Sequence, residues 1–240
     1  DEFRAFVAQG WAPRSDERPA LTEAARRAAT RREAVSAAHR GERLVIPAGG
    51  LKVRSNDTDY VFRPHSAFVH LTGLGADREP DAVLVMEPLG GPDDDAGHEA
   101  VLYFRPLAPR DSEEFFGDTR YGEFWVGARP SIEDVESELG LTGRHVDQLE
   151  DAVGKDAGQV TVRMVRDADR ELTARLDTVR TQGGADQESL AEADAELAHD
   201  LSHLRMLKDE WEIEQMQAAV DATRTGFEAV IRELPTLPER

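Results

Sequence analysis

Two pairs of side chains in this sequence have the type and spacing that acid–base or metal chemistry needs. Asp57 and Asp59 are two residues apart, so on a β-strand both carboxylates would lie on one face and could act as a pair. His199 and His203 are four residues apart in "HDLSH", so on an α-helix both imidazoles would lie on one face and could bind a metal ion. The chemistry of each pair depends on its neighbours.

The neighbours favour structural roles for both pairs. Arg54 and Arg63 flank the two aspartates, which favours salt-bridged carboxylates over an acid–base pair with separated pKa values. No Glu follows the first histidine as it does in a metalloprotease helix, and the sequence suggests no third ligand. We therefore interpret His199 and His203 as surface residues of a charged helix.

Three further motifs give no clear chemistry. Ser66 lacks the strained glycine elbow of a hydrolase nucleophile. The aspartates 93–95 lack the alternating oxygen ligands and the closing Glu of a calcium loop, which favours a solvated turn. In "GEFWVGARP", residues 122–130, Phe124 and Trp125 lie between glycines in a predicted exposed turn. The sequence leaves open whether these two rings contact a ligand or fill the core.

The composition narrows the class of protein. The chain has 240 residues, of which 40% are hydrophobic, and this is enough for a packed core. The absence of cysteine excludes disulfides, zinc–thiolate sites and cysteine nucleophiles, and is compatible with the cytoplasmic location that we expect. A formal net charge of −19 repels phosphate backbones, so we expect no nucleic-acid partner. No stretch approaches the roughly 20 apolar residues of a membrane helix, so we expect no membrane partner.

Apolar periodicity predicts the elements that must position the candidate residues. Residues 1–17 predict a flexible arm whose start lacks Met, so we expect the natural N-terminus upstream, and residues 18–41 predict a helix. Short apolar runs predict the strands "RLVIP", "DAVLVMEP" and "AVLYFRP", the last two as a hairpin. A helix capped by Ser131, a strand "QVTVRMV" and further helices from Asp167 follow. This order predicts an α/β fold with a mixed β-sheet flanked by helices.

The last predicted helix has its own start signal and its own apolar face. Asp209, with Glu212 three residues later, is typical of an N-terminal helix cap. An apolar stripe then repeats at helical spacing through Ile213, Met216, Val220, Phe227, Val230 and Leu234. Such a helix either covers the preceding sheet or opens a further domain.

Three of these segments together resemble the N-terminal domain of aminopeptidase P, the Xaa-Pro aminopeptidase of the creatinase/prolidase group, in its actinobacterial form. The most specific is "RSNDTDYVFRPHSAFVHLTGL", followed closely by "DAVLVMEP". Its motif residues are Arg54, Ser55, Asp57, Tyr60, Arg63, Ser66, Thr72 and Gly73. "EFWVGARPS" resembles the family's tryptophan-containing glycine loop, and "LRMLKDEWEIEQMQAA" resembles its hinge into the next domain. The resemblance extends from Arg43 to Leu234.

The resemblance implies a domain order and an activity. Residues 18–206 would form the creatinase-like N-terminal domain, and residues 207–240 the linker and first helix of a pita-bread catalytic domain whose remainder is absent here. The family releases the N-terminal residue that precedes proline, and it uses two divalent metal ions, commonly manganese. The metal ligands belong to the catalytic domain, and none of them maps onto a residue of this sequence. We therefore expect this chain alone to bind no metal and to be inactive.

The resemblance also implies roles for individual residues. The domain would form the wall and lip of the substrate pocket, for peptides with proline at the second position, and would make contacts in a homo-oligomer. Trp125 is the predicted lip residue, since an aromatic ring can stack on proline and exclude water. Arg54, Asp57 and Arg63 are predicted to cross-brace their turn. Two alternatives stay open: a free-standing binding or oligomerisation module, and a fragment of a prolidase- or creatinase-type hydrolase.

Overall fold

A computed structural model describes residues 2–56, 58–156 and 158–236 of the chain. The chain divides into two units, Asp1–Leu201 and Ser202–Arg240. Within the described residues, the α-helices are α1 Glu2–Val7, α2 Glu23–Ala38, α3 Ser66–Thr72, α4 Glu113–Gly117, α5 Glu123–Val126, α6 Ile132–Leu139, α7 Leu149–Gly154, α8 Arg170–Gln182, α9 Gln187–Leu204 and α10 Glu210–Glu233. The strands are β1 Arg43–Pro47, β2 Val53–Ser55, β3 Thr58–Asp59, β4 Val83–Pro88, β5 His98–Phe104, β6 Thr142–His145 and β7 Val162–Met164.

A five-stranded mixed sheet forms the centre of the first unit, with the strand order β6-β5-β4-β1-β7. β4 pairs antiparallel with both β1 and β5, whereas β6 and β7 pair parallel with β5 and β1. The predicted hairpin is confirmed, with Val85 of β4 opposite Val101 of β5. A separate two-stranded sheet joins β2 to β3. The predicted α/β class, a mixed sheet flanked by helices, is therefore confirmed.

The inner strands carry the apolar runs that the sequence predicts to be buried. Val45 of β1, Val85 of β4 and Tyr103 of β5 are buried and join one cluster with Leu172 and Leu176 of α8. α3 packs on β1 and β4, and α2 packs on α3. Because burying one large apolar side chain contributes about 1.5–3 kcal/mol, the sheet and these helices form a stable platform for the loops.

The contact between α2 and α3 explains why Thr72 and Gly73 occur in "LTGL", at the end of the longest motif segment. Gly73 ends α3 with a φ of +82°, and a Cβ there would lie 2.9 Å from the backbone of Ala24 in α2. Thr72 is fully buried. Its hydroxyl donates to the Phe68 carbonyl and accepts the Leu74 N–H. Thr72 and Gly73 therefore terminate α3 and allow it to pack closely on α2.

Carboxylates close the two outer edges of the sheet. On β7, the Met164 N–H donates to Asp194 Oδ1 at 2.7 Å. On β6, the Gly143 N–H donates to Glu136 Oε1 at 3.0 Å. Backbone donors at a sheet edge can otherwise pair with a strand of another molecule. The two carboxylates therefore protect the sheet against edge-to-edge association.

Two elements are shorter than the sequence predicts. The helix predicted over 18–41 covers only Glu23–Ala38, because the hydroxyl of Thr22 caps it and accepts the Ala25 N–H at 3.2 Å. The strand predicted from "QVTVRMV" covers only Val162–Met164, since that is the part that pairs with β1. In contrast, the cap of α6 at Ser131 is confirmed, as a full capping box with Asp134.

The predicted arm, residues 1–17, contains α1 and is described from residue 2 onward. Val7 is buried. Arg14 Nη2 donates to the Ala108 carbonyl at 2.9 Å. The described residues of the arm therefore make defined contacts with the rest of the first unit, while the flexibility of the arm stays a prediction.

The second unit contains α10, and its predicted start is confirmed. Asp209 and Glu212 form a reciprocal capping box. The predicted apolar stripe is between 54% and 66% exposed at Ile213, Met216, Val220, Phe227, Val230 and Leu234. Among the described residues, no helix is long and apolar enough to cross a bilayer.

Candidate functional site

Two segments that stand out in the sequence line one groove of about 910 Å³. Residues between 51 and 62 form one wall of this groove, and residues between 119 and 130 form the other. Its exposed apolar side chains, each 53–68% accessible, are Val53, Tyr60, Val61, Trp125 and Val126. Clustered exposed apolar side chains of this kind mark binding surfaces, so the groove is the candidate functional site.

A bidentate ion pair joins the two walls of the groove. Arg120 donates from Nε and Nη2 to the two oxygens of Asp59, at 3.0 and 2.9 Å. This fork geometry fixes both side chains in orientation. The sequence predicts a salt-bridged Asp59 with a partner nearby in the chain, but the observed partner is 61 residues away. Arg54 and Arg63 are exposed, and Asp57 lies outside the described residues, so cross-bracing by these three stays a prediction.

The floor of the groove includes residues 77–80, which belong to a strained turn that ends at Asp81. Asp77, Glu79 and Asp81 have φ angles of 60°, 48° and 61°, a region that non-glycine residues seldom occupy. Each such residue costs on the order of 1 kcal/mol, so neighbouring contacts must hold the turn in place. One of them comes from the opposite wall, where the Tyr121 hydroxyl donates to the Asp81 carboxylate. Backbone strain of this kind concentrates at binding and catalytic sites.

The floor also contains groups whose pKa values are shifted by burial. Glu79 is 8% exposed, and burial raises the pKa of its carboxyl, an effect that Arg129 and Arg78 partly offset. Burial lowers the pKa of Arg129. Burial, and then the hydrogen bond to Asp81, raises the pKa of Tyr121. The groove therefore combines an apolar rim with a poorly hydrated polar floor, which suits a ligand with both characters, such as a peptide.

Trp125 lies at the rim of the groove on the one-turn helix α5, where the sequence predicts an exposed turn. Its indole N–H donates to the Phe116 carbonyl at 2.8 Å, and its ring meets Phe124 edge to face at 5.2 Å. Trp125 is 56% exposed, so it does not fill the core. Phe124 is also exposed, at 44%, although its ring contacts Trp11 and Phe115. Neither ring fills the core, and the two differ in their contacts: Trp125 lines the groove, whereas Phe124 packs against Trp11 and Phe115.

Glu123 anchors the start of α5. Its side chain is 7% exposed and accepts from Arg14 at 2.8 Å. It also accepts the Ala108 N–H at 3.2 Å. Gly122 allows the tight approach that precedes α5, because a Cβ there would lie 2.5 Å from the Asp118 carbonyl oxygen. The position of Trp125 therefore depends on contacts from other parts of the fold.

The other motif residues are spread around the groove and the α2–α3 contact. Tyr60 lines the groove. Ser55 ends β2, and Ser66 begins α3; both are exposed. Thr72 and Gly73 have the packing roles described above. The structure thus places part of the motif at the site and part in the platform below it.

Sequence reasoning missed the residues of the groove floor. The stretch "GADREPDA" reads as a plain glycine-rich turn. Its only local signal is acidic residues at alternate positions, and this does not indicate positive φ angles. Arg120 and Tyr121 likewise carry no signal of their own, because their partners Asp59 and Asp81 are distant in the chain.

A metal centre does not fit the part of the chain that the structure describes. No group of three or more His, Asp or Glu side chains in those residues could hold a metal ion. His199 and His203 lie exposed on α9, as the sequence predicts. No chemical step is therefore assigned to a metal held by these residues.

The sequence matches a known family over more than half of its length. A family model described as "Aminopeptidase P, N-terminal domain" matches residues 28–164. The chain belongs to this family. The matched aminopeptidase P segment includes the strands β1 to β7 and both walls of the groove.

Individual relatives agree with the aminopeptidase P assignment. Xaa-Pro aminopeptidase 2 of Streptomyces coelicolor is 41% identical over 233 residues, which are 97% of this chain and 45% of that protein. Xaa-Pro aminopeptidase 1 of the same organism is 41% identical over 236 residues, or 98% of this chain and 44% of that protein. The chain thus spans less than half the length of these relatives. A variant of Escherichia coli aminopeptidase P shares the fold, with a TM-score of 0.52 and 20% identity over 67% of this chain and 33% of that one.

Proposed function

We propose that this chain works as the N-terminal domain of a Xaa-Pro aminopeptidase, in which the groove shapes the access of peptides with proline at the second position. The observation that carries the proposal is the exposed ring of Trp125 on an anchored loop, above a polar floor. Family membership and the similarity to the Streptomyces Xaa-Pro aminopeptidases supply the reaction class.

The groove chemistry supports this role for a proline peptide. A bond that precedes proline has no N–H and a fixed φ angle, so recognition must come from shape and from apolar contact with the ring. A rim that includes Tyr60 and Trp125 offers flat apolar faces for such a contact. The floor around Glu79 and Arg129 offers charged groups for the termini and carbonyls of the peptide.

In this proposal the chain itself cleaves no bond. The two divalent metal ions, which we expect to be manganese, belong to a catalytic domain outside this sequence, and the cytoplasmic location and homo-oligomer stay predictions. The exposed apolar stripe of α10 supports a linker and first catalytic helix at residues 207–240, since a free-standing module would leave that stripe uncovered.

A chimeric enzyme tests the proposed function. This chain would replace the aligned 233 residues of the Streptomyces coelicolor Xaa-Pro aminopeptidase 2. We expect the chimera to cleave Xaa-Pro tripeptides, because the groove would meet a catalytic domain made for the same substrates. The isolated 240-residue chain should show no such cleavage. The measurement is kcat/KM for a series of peptides of increasing length.

The control separates access from folding. Leu89→Ala is the control for substitutions in the groove. Leu89 is 60% exposed and lies on the β4–β5 loop, so this variant truncates an exposed apolar side chain outside the groove. A folded chimera without activity on any Xaa-Pro peptide would contradict the proposal and favour the free-standing module. Reading the gene beyond Arg240 would separate aminopeptidase P from prolidase- or creatinase-type hydrolases.

A further inference from the structure

We infer that the N-terminal arm, residues 2–17, positions α5, Glu123–Val126, which carries Trp125 and is called the lip below. Its side chains support Glu123 and Phe124 directly and Trp125 through Phe116. The consequence for substrate handling rests on the proposed function, whereas the structural consequence concerns this chain alone. The arm precedes the segment that the family model matches, so this support comes from outside the matched domain.

The lip needs external support for a physical reason. α5 has only four residues, Glu123–Val126, and an isolated helix of that length is not stable in water. Glycines flank it at 122 and 127, and Gly127 has a φ of +92° with open space around its Cβ position. The orientation of Trp125 must therefore be fixed by contacts from other elements.

The first contact is ionic and acts on Glu123. Arg14 Nη2 lies 2.8 Å from Glu123 Oε2, and the same guanidinium group donates to the Ala108 carbonyl at 2.9 Å. The Glu123 side chain is only 7% exposed, whereas that of Arg14 is 36% exposed. A carboxylate so buried is held in place by its cation, so Arg14 fixes the first residue of α5.

The second contact is aromatic and acts on Phe124. The Trp11 ring lies edge to face with Phe124 at 6.1 Å and with Phe115 at 5.4 Å. Trp11 is itself fixed, because its indole N–H donates to the Val7 carbonyl at 2.7 Å and the guanidinium of Arg110 lies 5.8 Å from its ring centre. Edge-to-face pairs restrict ring orientation.

The third contact reaches Trp125 through one intermediate residue. Phe3 of α1 meets Phe116 edge to face at 5.5 Å. The carbonyl of Phe116 accepts the indole N–H of Trp125 at 2.8 Å. The arm therefore restrains both the backbone of α5 and the residue that orients the indole ring.

Tryptophan fluorescence tests this inference in the 240-residue chain without any need for activity. The sequence has three tryptophans, so the Trp11→Phe, Trp211→Phe double variant leaves Trp125 as the single tryptophan. This variant keeps an aromatic ring at position 11 but loses the hydrogen bond to the Val7 carbonyl, so every further variant is compared with it. In this background, Arg14→Ala and Phe3→Leu should each raise the acrylamide quenching constant of Trp125 about twofold and lower its anisotropy, because a loosened lip opens more often.

Arg4→Ala is the matched control. Arg4 is also an arginine of the arm, but its pair with Glu113 at 3.5 Å is exposed on both sides, and exposed pairs contribute little to stability. We expect this variant to leave both the quenching constant and the anisotropy unchanged. Far-ultraviolet circular dichroism checks that every variant is folded.

The outcomes are decisive for the arm. Unchanged quenching in the folded Arg14→Ala and Phe3→Leu variants would overturn the inference, as would an equal rise in Arg4→Ala. If Arg14→Ala does not fold, Phe3→Leu decides, since it keeps most of the apolar volume. In the chimera, the same variants should raise KM for Xaa-Pro peptides more than they lower kcat. An inactive chimera would contradict the proposed function but would leave the fluorescence result standing.

Discussion

The β1–β7 side of the sheet and the groove differ in which side chains they bury and which they expose. At the β1–β7 side, Arg43 is fully buried. It donates to Glu87 at 2.7 and 2.6 Å and to Asp156 at 2.5 and 2.8 Å. At the groove, by contrast, the apolar ring of Trp125 is exposed. The cluster around Arg43 is buried with its own charged partners, whereas the rim of the groove exposes apolar side chains to solvent.

A second buried charge cluster extends the first region. Asp194 is 1% exposed and accepts from Arg180 at 2.9 Å and from Arg166 at 2.8 Å. It also accepts the Met164 N–H at the edge of the sheet. This carboxylate therefore joins α8, α9 and β7.

The difference teaches which features of this protein indicate function. Every donor and acceptor of the Arg43 cluster described above is matched within the fold, so its charges serve assembly. The rim of the groove is not matched within the fold, since its apolar side chains lack cover. Uncovered apolar groups, rather than clustered charges, therefore indicate where a ligand binds.

Removing the guanidinium of Arg43 should give the largest effect on stability. Arg43→Ala leaves Glu87 and Asp156 without their shared cation, and loss of one partner of a buried pair costs about 3–5 kcal/mol. Urea unfolding measures the change in the free energy of unfolding. Arg144→Ala, at an exposed arginine of β6 in the same sheet, should change it by less than about 0.5 kcal/mol. If both variants lowered the free energy of unfolding by a similar amount, the difference that we infer between buried and exposed charge would be wrong.

Trp125→Ala should affect activity and leave stability almost unchanged, the opposite of Arg43→Ala. Because the side chain is 56% exposed, we expect little change in the melting temperature. In the chimera, kcat/KM for Xaa-Pro tripeptides should fall about tenfold, which corresponds to about 1.4 kcal/mol of lost contact with the proline ring. A variant that mainly unfolds would identify Trp125 as a core residue, and the lip role would then be wrong.

Asp209→Ala should have a smaller effect, confined to α10. The carboxylate caps α10 by accepting the Glu212 N–H at 2.8 Å, and loss of such a cap costs about 1 kcal/mol. Circular dichroism during thermal unfolding measures the helix. Asp209→Asn, which keeps a capping oxygen, should retain most of the stability. An unchanged melting curve in Asp209→Ala would show that the cap does not hold the helix start.

The pH dependence of stability should differ in sign between the two regions. The hydrogen bond from Arg43 holds the pKa of Asp156 below its ordinary value. Its contribution is therefore present above the unfolded pKa of about 3.9 and is lost as pH falls through the folded value. Burial raises the pKa of Glu79, so its contribution is present below about pH 4.3 and is lost as pH rises through the folded value.

Two variants that replace a carboxylate by an amide measure how the free energy of unfolding changes with pH. The stability that separates Asp156→Asn from the unmodified chain should shrink as pH falls. Relative to the unmodified chain, Glu79→Gln should become more stable as pH rises. Chemical unfolding at several pH values gives both differences. The same slope for both variants would contradict the contrast between the two regions.

Much of the fold can be predicted from the sequence because its signals are local. The apolar runs of β1, β4 and β5 and the capping boxes at Ser131 and Asp209 lie within a few residues of the structure that they specify. β6 could not be predicted, since "TGRH" has no strand pattern and forms a strand only by pairing with β5. The resemblance of "RSNDTDYVFRPHSAFVHLTGL" and "EFWVGARPS" to aminopeptidase P was also available from the sequence, and the family match confirms it.

The groove and the support of its lip were decided by tertiary structure alone. Asp59 meets Arg120 across 61 residues, and Arg14 meets Glu123 across 109 residues. No local pattern encodes such pairs, because they exist only when the sheet brings distant loops together. The sequence by itself determined the three inner strands of the sheet, the helix caps at Ser131 and Asp209, the family and the two conspicuous segments. Folding determined that these segments share one groove, which charges are buried and which aromatic ring lines the groove.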